Sequence, residues 1–293
     1  MFVAILKTLR PHQWTKNLVV LAALVFSLNF GDAGLARVAF EAVGVFCLLS
    51  GAVYLLNDLK DREKDRLHPI KRQRPIASGA LPVPVALLAF VVVLAAGLAA
   101  AALLGPRFLA VSTAYLALNL AYSFVLRSKM LLDVMAIAAG FVLRALAGTE
   151  VLVDAGADVR ISPWLLMCAF FLSLVLALGK RRHELGAAED GHRKSLRGYS
   201  VALVDRLTTL AVGVTLVSYS IYSIWPETVE KFGTENLIYT IPFVFYGLAR
   251  YLYLVTERDG GGDPSEMLIT DRGILITVVL WFLVIVAILY WPW

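Results

Sequence analysis

Four residues with oxygen ligands lie at the end of a long apolar run: Asn57, Asp58, Asp61 and Asp65. On a helix, residues four positions apart share a face, so Asn57, Asp61 and Asp65 would stack with Asp58 beside them. Stacked carboxylates repel one another, and oxygen ligands of this kind suit Mg²⁺, which then bridges to phosphate oxygens. The spacing therefore predicts a Mg²⁺ site formed by these four residues. A solvated helix end of mixed charge is the alternative interpretation.

A basic run follows the acidic residues directly. Lys71, Arg72 and Arg74 fall within four positions, and Ser78 and Gly79 lie just beyond them. Arginine binds phosphate with two parallel hydrogen bonds, and lysine acts as a point charge. Next to an acidic site this run predicts a clamp for a phosphorylated substrate, with Asp58, Asp61, Lys71 and Arg72 as the catalytic residues. The alternative interpretation is that these cations only anchor the chain at the cytoplasmic membrane surface, which explains many such runs.

Polar residues in or beside other apolar runs are further candidates for substrate binding. Tyr122 and Arg127 close one run, where an interfacial tyrosine and a snorkelling arginine are the alternative. Asp133 and Arg144 lie eleven positions apart in the next run, which places them on one helix face but roughly 16 Å apart. They therefore cannot pair with each other. Ionisable residues inside a membrane are usually functional, and pairing between helices is the competing explanation.

The elements that must position these residues are apolar helices. Of the 293 residues 59% are hydrophobic and 17% are charged, and the mean hydropathy is +0.76. These values exclude an ordinary soluble enzyme and a disordered chain. About 20 apolar residues span a bilayer as a helix, and the runs lack the alternation of barrel strands. We expect an all-α integral membrane protein, a nine-transmembrane-helix bundle forming one catalytic domain over residues 1–293. The nine predicted helices are 17–31, 36–56, 82–104, 107–126, 130–149, 161–179, 201–224, 237–255 and 271–291.

The loops between these helices differ in charge. The face that holds the N-terminus and the loops after the second, fourth, sixth and eighth helices carries 20 of the 27 Lys and Arg residues, and the opposite face carries 4. Because cytoplasmic loops are enriched in Lys and Arg, this asymmetry predicts a cytoplasmic N-terminus. The acidic and basic candidates lie on that face, so we expect an active site at the cytoplasmic surface of a bacterial inner membrane. The net charge of +5 fits anionic lipids and does not require nucleic acid.

The motifs resemble those of a known family. Asn-Asp-x-x-Asp-x-x-x-Asp at a helix end, followed by Arg-Pro-x-x-Ser-Gly, resembles the UbiA superfamily of intramembrane prenyltransferases. Further stretches resemble its decaprenyl-phosphate phosphoribosyltransferase branch, and the resemblance covers almost the whole chain. These stretches are Arg10–Asn17, His68–Ala77, Leu132–Ala145, Gly179–Leu185 and Asp263–Arg272.

The resemblance implies a nine-helix fold, Mg²⁺ and a reaction. The 5-phosphoribosyl group of phosphoribosyl pyrophosphate would pass to a polyprenyl phosphate such as decaprenyl phosphate, with release of pyrophosphate, to supply arabinose for bacterial cell-wall polysaccharides. Aromatic prenyltransferases of the superfamily have a second Asp-x-x-x-Asp motif after the sixth helix, and here Lys180, Arg181 and Arg182 stand in its place. The resemblance implies that Lys16, Lys180 and Arg181 contact substrate phosphate.

Two other functions stay open at this point. A UbiA-type enzyme that moves a prenyl chain to an aromatic or glycerol-phosphate acceptor would need the second acidic motif, which is missing. A multi-helix transporter would be expected to show internal repeats and ionisable residues at the membrane midplane, and we see no such repeat. The sequence also leaves a homo-oligomer open.

Overall fold

A computed structural model of the protein describes residues 1–186, 198–258, 267 and 270–291, and over these residues it is all-helical with no strand. Seven helices are long and apolar enough to cross a membrane, as expected of an integral membrane protein. They are α3 (Ala33–Lys60), α5 (Val83–Leu104), α7 (Leu132–Asp154), α8 (Pro163–Gly186), α9 (Val201–Ile224), α11 (Ile241–Glu257, extended backwards by a 3₁₀ turn, Asn236–Thr240) and α12 (Arg272–Tyr290). The remaining elements are α1 (Phe2–Leu9), α2 (Ala22–Phe26), α4 (Arg62–Arg66), α6 (Pro106–Phe124) and α10 (Pro226–Phe232), with 3₁₀ helices Pro11–Leu21, Lys71–Gln73 and Leu126–Ser128.

Two of the nine predicted spans are not among these seven, so the count of nine is not confirmed for the described residues. The predicted helix 17–31 is divided between the 3₁₀ helix Pro11–Leu21 and α2, which ends before Leu28 at φ 63°. The predicted helix 107–126 forms as α6, but it contains Arg107 and Asn119, which lower its mean hydropathy. The other seven predictions each match one of the seven spans.

The helix ends follow from local chemistry. Asp32 begins α3, where its carboxylate accepts hydrogen bonds from the backbone N–H groups of Gly34 and Leu35. Ser200 and Asp271 cap α9 and α12 in the same way, through the N–H groups three positions further on. These side chains satisfy donors that the first turn of a helix leaves unpaired.

The chain divides into two compact units. The first contains Met1–Phe124 and Leu143–Arg160, and the second contains Val125–Val142 and Ile161–Trp293. In the first unit Phe46 of α3 packs against Phe108 and Tyr115 of α6. In the second, Val175, Tyr251 and Ile274 belong to one buried cluster. Each unit holds part of the predicted site, and the single domain over residues 1–293 stays a prediction.

Candidate active site

The acidic residues predicted to bind metal lie at the end of α3 in the first unit. The α-helix ends at Lys60, and Asp61 joins it to α4 with φ −88° and ψ 4°. The four-residue hydrogen-bonding pattern nevertheless continues, because Asp61 N–H donates to Asn57 O and Asp65 N–H donates to Asp61 O, both at 2.9 Å. The backbone therefore keeps Asn57, Asp61 and Asp65 in register across the junction, as the sequence predicts.

Two of these carboxylates are buried and share one cation. Asp58 and Asp65 are 3% and 4% exposed. Arg74 Nη1 lies 3.2 Å from Asp58 Oδ1 and 2.7 Å from Asp65 Oδ2. Because a buried carboxylate without a partner is strongly destabilising, Arg74 neutralises charge that helix α3 and the turn after it bring together.

A second cation on Asp58 comes from the N-terminal segment, and the sequence did not single it out as a site residue. Arg10 Nη2 lies 2.5 Å from Asp58 Oδ1, and its guanidinium stacks over the Tyr54 ring with 4.8 Å to the centroid. Arg10 has φ 54° and ψ 63°, a left-handed conformation that is unusual for a residue other than glycine. Such strain persists only where the surroundings fix it. The only sequence signal for this role was the motif that begins at Arg10.

The basic loop after α4 includes buried apolar residues and exposes one of its three cations, Arg72. Ile76 and Leu81 are buried beneath the loop, and the His68 ring accepts a hydrogen bond from Ile70 N–H at 3.2 Å. Lys71 begins the short 3₁₀ helix and is partly buried, whereas Arg72 is exposed. The loop can therefore offer Arg72 to a ligand without unfolding.

By residue type, the four predicted ligands Asn57, Asp58, Asp61 and Asp65 are a donor set that suits a divalent metal ion. Three carboxylates and one amide supply hard oxygen ligands of the kind that Mg²⁺ prefers, and the Arg74 guanidinium already bridges two of the carboxylates as a cation would. Over the described ranges no group of three or more His, Cys, Asp or Glu side chains is arranged to hold a metal. In the structure Asp58 and Asp65 are engaged in ion pairs instead.

Arg144 lies deeper in the first unit, within a network of neutral side chains. It is 7% exposed, its Nε donates to Asn17 Oδ1 at 2.9 Å, and its Nη2 donates to Tyr115 Oη at 2.7 Å. Asn17 in turn donates to Ser50 Oγ at 3.2 Å. Lys16 precedes Asn17 on the 3₁₀ helix and is partly buried. This network explains how the polar N-terminal motif is fixed against α3 and α7.

Tyr122 and Arg127 fall in different units. Tyr122 lies near the end of α6 in the first unit and is partly buried. Arg127 belongs to the second unit and is exposed. The end of α6 is held by Lys60, whose ammonium donates to Ser123 O and lies 4.0 Å from the centroid of the Phe124 ring. Substrate contacts of Tyr122 and Arg127 stay predictions.

In the second unit the Lys180–Arg181 pair divides into an exposed and a buried cation. Lys180 is exposed, whereas Arg181 is 7% exposed, with its Nε 2.9 Å from Asp133 Oδ2 and its Nη1 2.6 Å from Glu184 Oε2. Asp133, which lies too far along α7 to pair with Arg144, is fully buried. Arg182 holds Asp205 at 2.8 Å and donates to Val255 O and Thr256 O at the end of α11. Of the three cations in the motif, Lys180 is therefore the one that is open to a ligand.

Tyr199 completes this buried cluster. Its hydroxyl donates to Asp133 Oδ1 at 2.7 Å and accepts from Leu131 N–H at 2.8 Å. Burial raises the pKa of the Tyr199 hydroxyl well above its usual value, and the hydrogen bond to Asp133 raises it further. The cluster thus ties the starts of α7 and α9 to the end of α8. The Glu189–Asp190 pair that follows in the sequence, and most of Asp263–Arg272, lie outside the described residues.

Comparisons with known proteins identify relatives along nearly the whole chain. The model of the UbiA prenyltransferase family matches residues 18–270. A Mycolicibacterium smegmatis protein named decaprenyl-phosphate phosphoribosyltransferase is 34% identical over 98% of this chain and 92% of its own length. A Corynebacterium glutamicum protein of the same name is 34% identical over 97% of this chain and 86% of its own. A solved structure of a UbiA homologue from Archaeoglobus fulgidus, bound to GPP and Mg²⁺, superposes with a TM-score of 0.70 at 21% identity, covering 98% of this chain and 99% of the other.

Proposed function

We propose that this chain, which belongs to the UbiA prenyltransferase family, transfers the 5-phosphoribosyl group of phosphoribosyl pyrophosphate to decaprenyl phosphate or a similar polyprenyl phosphate. The observation that carries the proposal is the near full-length similarity to relatives named for this activity. The fold neighbour supports an intramembrane helical scaffold. The lipid product would supply arabinose for cell-wall polysaccharides.

The reaction exchanges one C1–O bond of ribose for another. The bond from C1 to pyrophosphate breaks, and an oxygen of the acceptor phosphate forms the new bond from the opposite face. An ionised phosphate oxygen is already a nucleophile, so this step needs little help from a general base. We therefore assign no histidine to catalysis.

The first unit supplies the groups that would bind the donor. Asn57, Asp58, Asp61 and Asp65 would hold Mg²⁺, which neutralises diphosphate and makes it a better leaving group. Lys71 and Arg72 lie in the loop beside these acids, where fixed positive charge stabilises the negative charge that develops on the departing oxygen. Arg72 is exposed in the structure and therefore accessible to a phosphorylated ligand, whereas Lys71 is partly buried.

Further cations would bind the remaining phosphates. We assign the cations Lys16, Arg127, Arg144, Lys180 and Arg181 to substrate binding, together with the neutral Tyr122. The structure favours Lys180 over Arg181 for direct contact, since Arg181 already pairs with two acids. Donor and acceptor together bring a 5-phosphate, a diphosphate and a lipid phosphate, which explains a basic motif where other family members carry acids.

We further propose a multi-pass protein of the bacterial inner membrane with its N-terminus and active site at the cytoplasmic surface. The excess of Lys and Arg on one predicted face supports this orientation. With nine spans the C-terminus would lie outside, so a reporter fused after Trp293 that is active only in the cytoplasm would contradict the helix count or this orientation. Membrane lipids would surround the helices, as expected for the weakly buried α5 and α12.

One experiment tests the reaction. Protein purified in detergent is incubated with Mg²⁺, labelled phosphoribosyl pyrophosphate and decaprenyl phosphate, and label is counted in the lipid phase. We expect lipid-soluble label that depends on Mg²⁺ and on the acceptor phosphate. A second reaction replaces the substrates by a prenyl diphosphate and an aromatic acid. Prenyl transfer there, with no phosphoribosyl transfer, would overturn the proposal and leave only the family.

A further inference from the structure

Asp58, at the end of α3, and Asp65, in α4, are buried carboxylates that require a cation beside them to stay ionised. Asp58 and Asp65 are nearly inaccessible to water, and Arg74 Nη1 contacts an oxygen of each. Two carboxylates that share a poorly hydrated site cannot both stay ionised without a cation between them. A divalent metal ion and the Arg74 guanidinium would serve the same carboxylates, so each would hinder the binding of the other.

We propose that Arg74 is an exchangeable counter-cation, which holds Asp58 and Asp65 in the metal-free protein and gives them up when a divalent metal ion binds. The inference rests on the proposed function insofar as these carboxylates bind metal. It adds that metal affinity is set by competition with a residue of the chain itself. The released guanidinium then lies beside the metal, free to bind the phosphates that the metal brings.

The structure allows this side chain to move while its backbone stays in place. Arg74 follows the 3₁₀ helix Lys71–Gln73, its own N–H donates to Lys71 O, and its O accepts from Ser78 N–H. Pro75, directly after it, is buried and favours the extended backbone that Arg74 has at φ −62° and ψ 142°. The Arg74 side chain is 29% exposed. Among the described residues the polar contacts of the Arg74 guanidinium are with these two carboxylates. Water can therefore replace the carboxylates as its hydrogen-bond partners during exchange.

Arg10 differs from Arg74 in ways that favour its staying on Asp58. Its guanidinium has a second anchor in the Tyr54 ring, one helical turn before Asp58 on α3. Its left-handed backbone fixes the direction from which the side chain approaches. Arg10 is therefore a positioning residue that keeps one charge on Asp58 neutralised, and Arg74 is the cation that leaves.

The test measures metal binding without substrates, with Mn²⁺ as the probe. Unsubstituted protein in detergent is titrated with Mn²⁺, and free Mn²⁺ is followed by electron paramagnetic resonance. We expect Arg74→Gln to bind Mn²⁺ about tenfold more tightly, a typical coupling between ligands that exclude each other. Arg72→Gln is the matched control, because it removes the same charge from the same loop at an exposed residue. It should change the affinity much less.

Thermal unfolding provides a second readout that does not depend on the affinity measurement. Arg74→Gln should have a lower Tm than the unsubstituted protein in EDTA and a larger upward shift on addition of Mn²⁺. If Arg74→Gln does not fold, Arg74→Lys replaces it. That variant keeps a cation and should hold Mn²⁺ affinity close to that of the unsubstituted protein, so tightening equal to or beyond tenfold would contradict the exchange.

The outcomes separate this inference from the proposed function. If the unsubstituted protein binds Mn²⁺ and Arg74→Gln binds it equally well or more weakly, the exchange is overturned. The proposed reaction then stays intact. Absence of Mn²⁺ binding in both proteins overturns the exchange and the metal assignment together. Tighter binding in Arg74→Gln, without phosphoribosyl transfer by the unsubstituted protein, supports the exchange and contradicts only the reaction.

Discussion

Two buried aspartates, Asp58 and Asp133, are neutralised in different ways. Asp58 is paired with Arg10 and Arg74, whose side chains are 24% and 29% exposed. Asp133 is paired with Arg181, whose side chain is 9% exposed, and also accepts from Tyr199. Both sites satisfy the rule that a buried charge needs a partner. They differ in whether water can reach the partner and replace it.

This difference suggests different tasks for the two sites. Arg74 comes from a loop and reaches the acids from the solvent side, so its contacts can be exchanged for those of a ligand. Arg181 comes from within α8, and its partners lie on α7 and α8. Breaking a buried ion pair between helices leaves an uncompensated charge, so this pair constrains how α7 and α8 pack. The first cluster, Asp58, Asp65 and Arg74, is therefore suited to binding substrate. The second cluster, Asp133, Arg181 and Tyr199, is suited to holding helix ends in place.

The largest effect we expect is the loss of turnover in Asp61→Asn, which removes a proposed metal ligand from the first cluster. Phosphoribosyl transfer should fall on the order of a thousandfold, equivalent to about 4 kcal/mol of transition-state stabilisation. The Tm in EDTA should change little, because the substitution removes charge from a crowded acidic turn. Glu63→Gln is the control, since Glu63 lies in the same turn, is itself exposed and pairs with Arg62 and Arg66. Near-normal activity of Asp61→Asn that EDTA still abolishes would remove Asp61 from the metal ligands.

The second cluster should respond in stability instead. Arg181→Gln leaves the fully buried Asp133 with Tyr199 as its remaining partner among the residues named above, so we expect unfolding free energy to fall by about 3 kcal/mol. The measurement is denaturant or thermal unfolding in detergent, with and without Mn²⁺. Metal should not restore stability, in contrast to Arg74→Gln. Recovery by Mn²⁺ would mean that Asp133 also exchanges its partner for a metal, and the distinction between the two clusters would fail.

Lys180 tests whether the basic motif also serves substrate. Because its side chain is exposed, Lys180→Ala should leave unfolding within about 0.5 kcal/mol of the unsubstituted protein. We expect kcat/KM to fall about tenfold, corresponding to about 1.4 kcal/mol, through weaker binding of one phosphate. Lys64→Ala, at another exposed lysine after α3, controls for the loss of surface charge. Equal kinetics for the two variants would assign Lys180 to membrane anchoring.

Sequence reasoning succeeded where the determinants are local. Apolar length predicted the seven helices, and spacing by four predicted that Asn57, Asp61 and Asp65 stay in register, because both depend on short segments of chain. The contact of Arg10 with Asp58 joins residues 48 positions apart, and no local pattern specifies such a distance. The division of helix 17–31 has a similar cause, since Asn17 is held by Ser50 and Arg144 from other helices.

The role of the basic motif in the last turns of α8 could be predicted from sequence only in general terms. Three consecutive cations indicate phosphate or membrane contact, but successive residues on a helix point about 100° apart. Burial of one and exposure of its neighbour therefore follow from which face of α8 packs inward. The buried Arg181 pairs with Asp133, and the sequence marked Asp133 as an intramembrane acid without identifying its partner.

The smallest effect we expect concerns Tyr199 and pH. Tyr199→Phe removes one hydrogen bond to Asp133 and should lower unfolding free energy by about 1 kcal/mol at pH 7.5. The folded state holds the Tyr199 pKa above its usual value of about 10. Above that pH the unfolded chain therefore binds fewer protons than the folded one, and the stability contributed by Tyr199 declines. The difference between the two proteins should thus shrink as pH rises from 9 towards roughly 11. Unfolding measured at pH 7.5, 9 and 10.5 tests this, and a difference that stays constant across the three would show that Tyr199 does not hold its proton for Asp133.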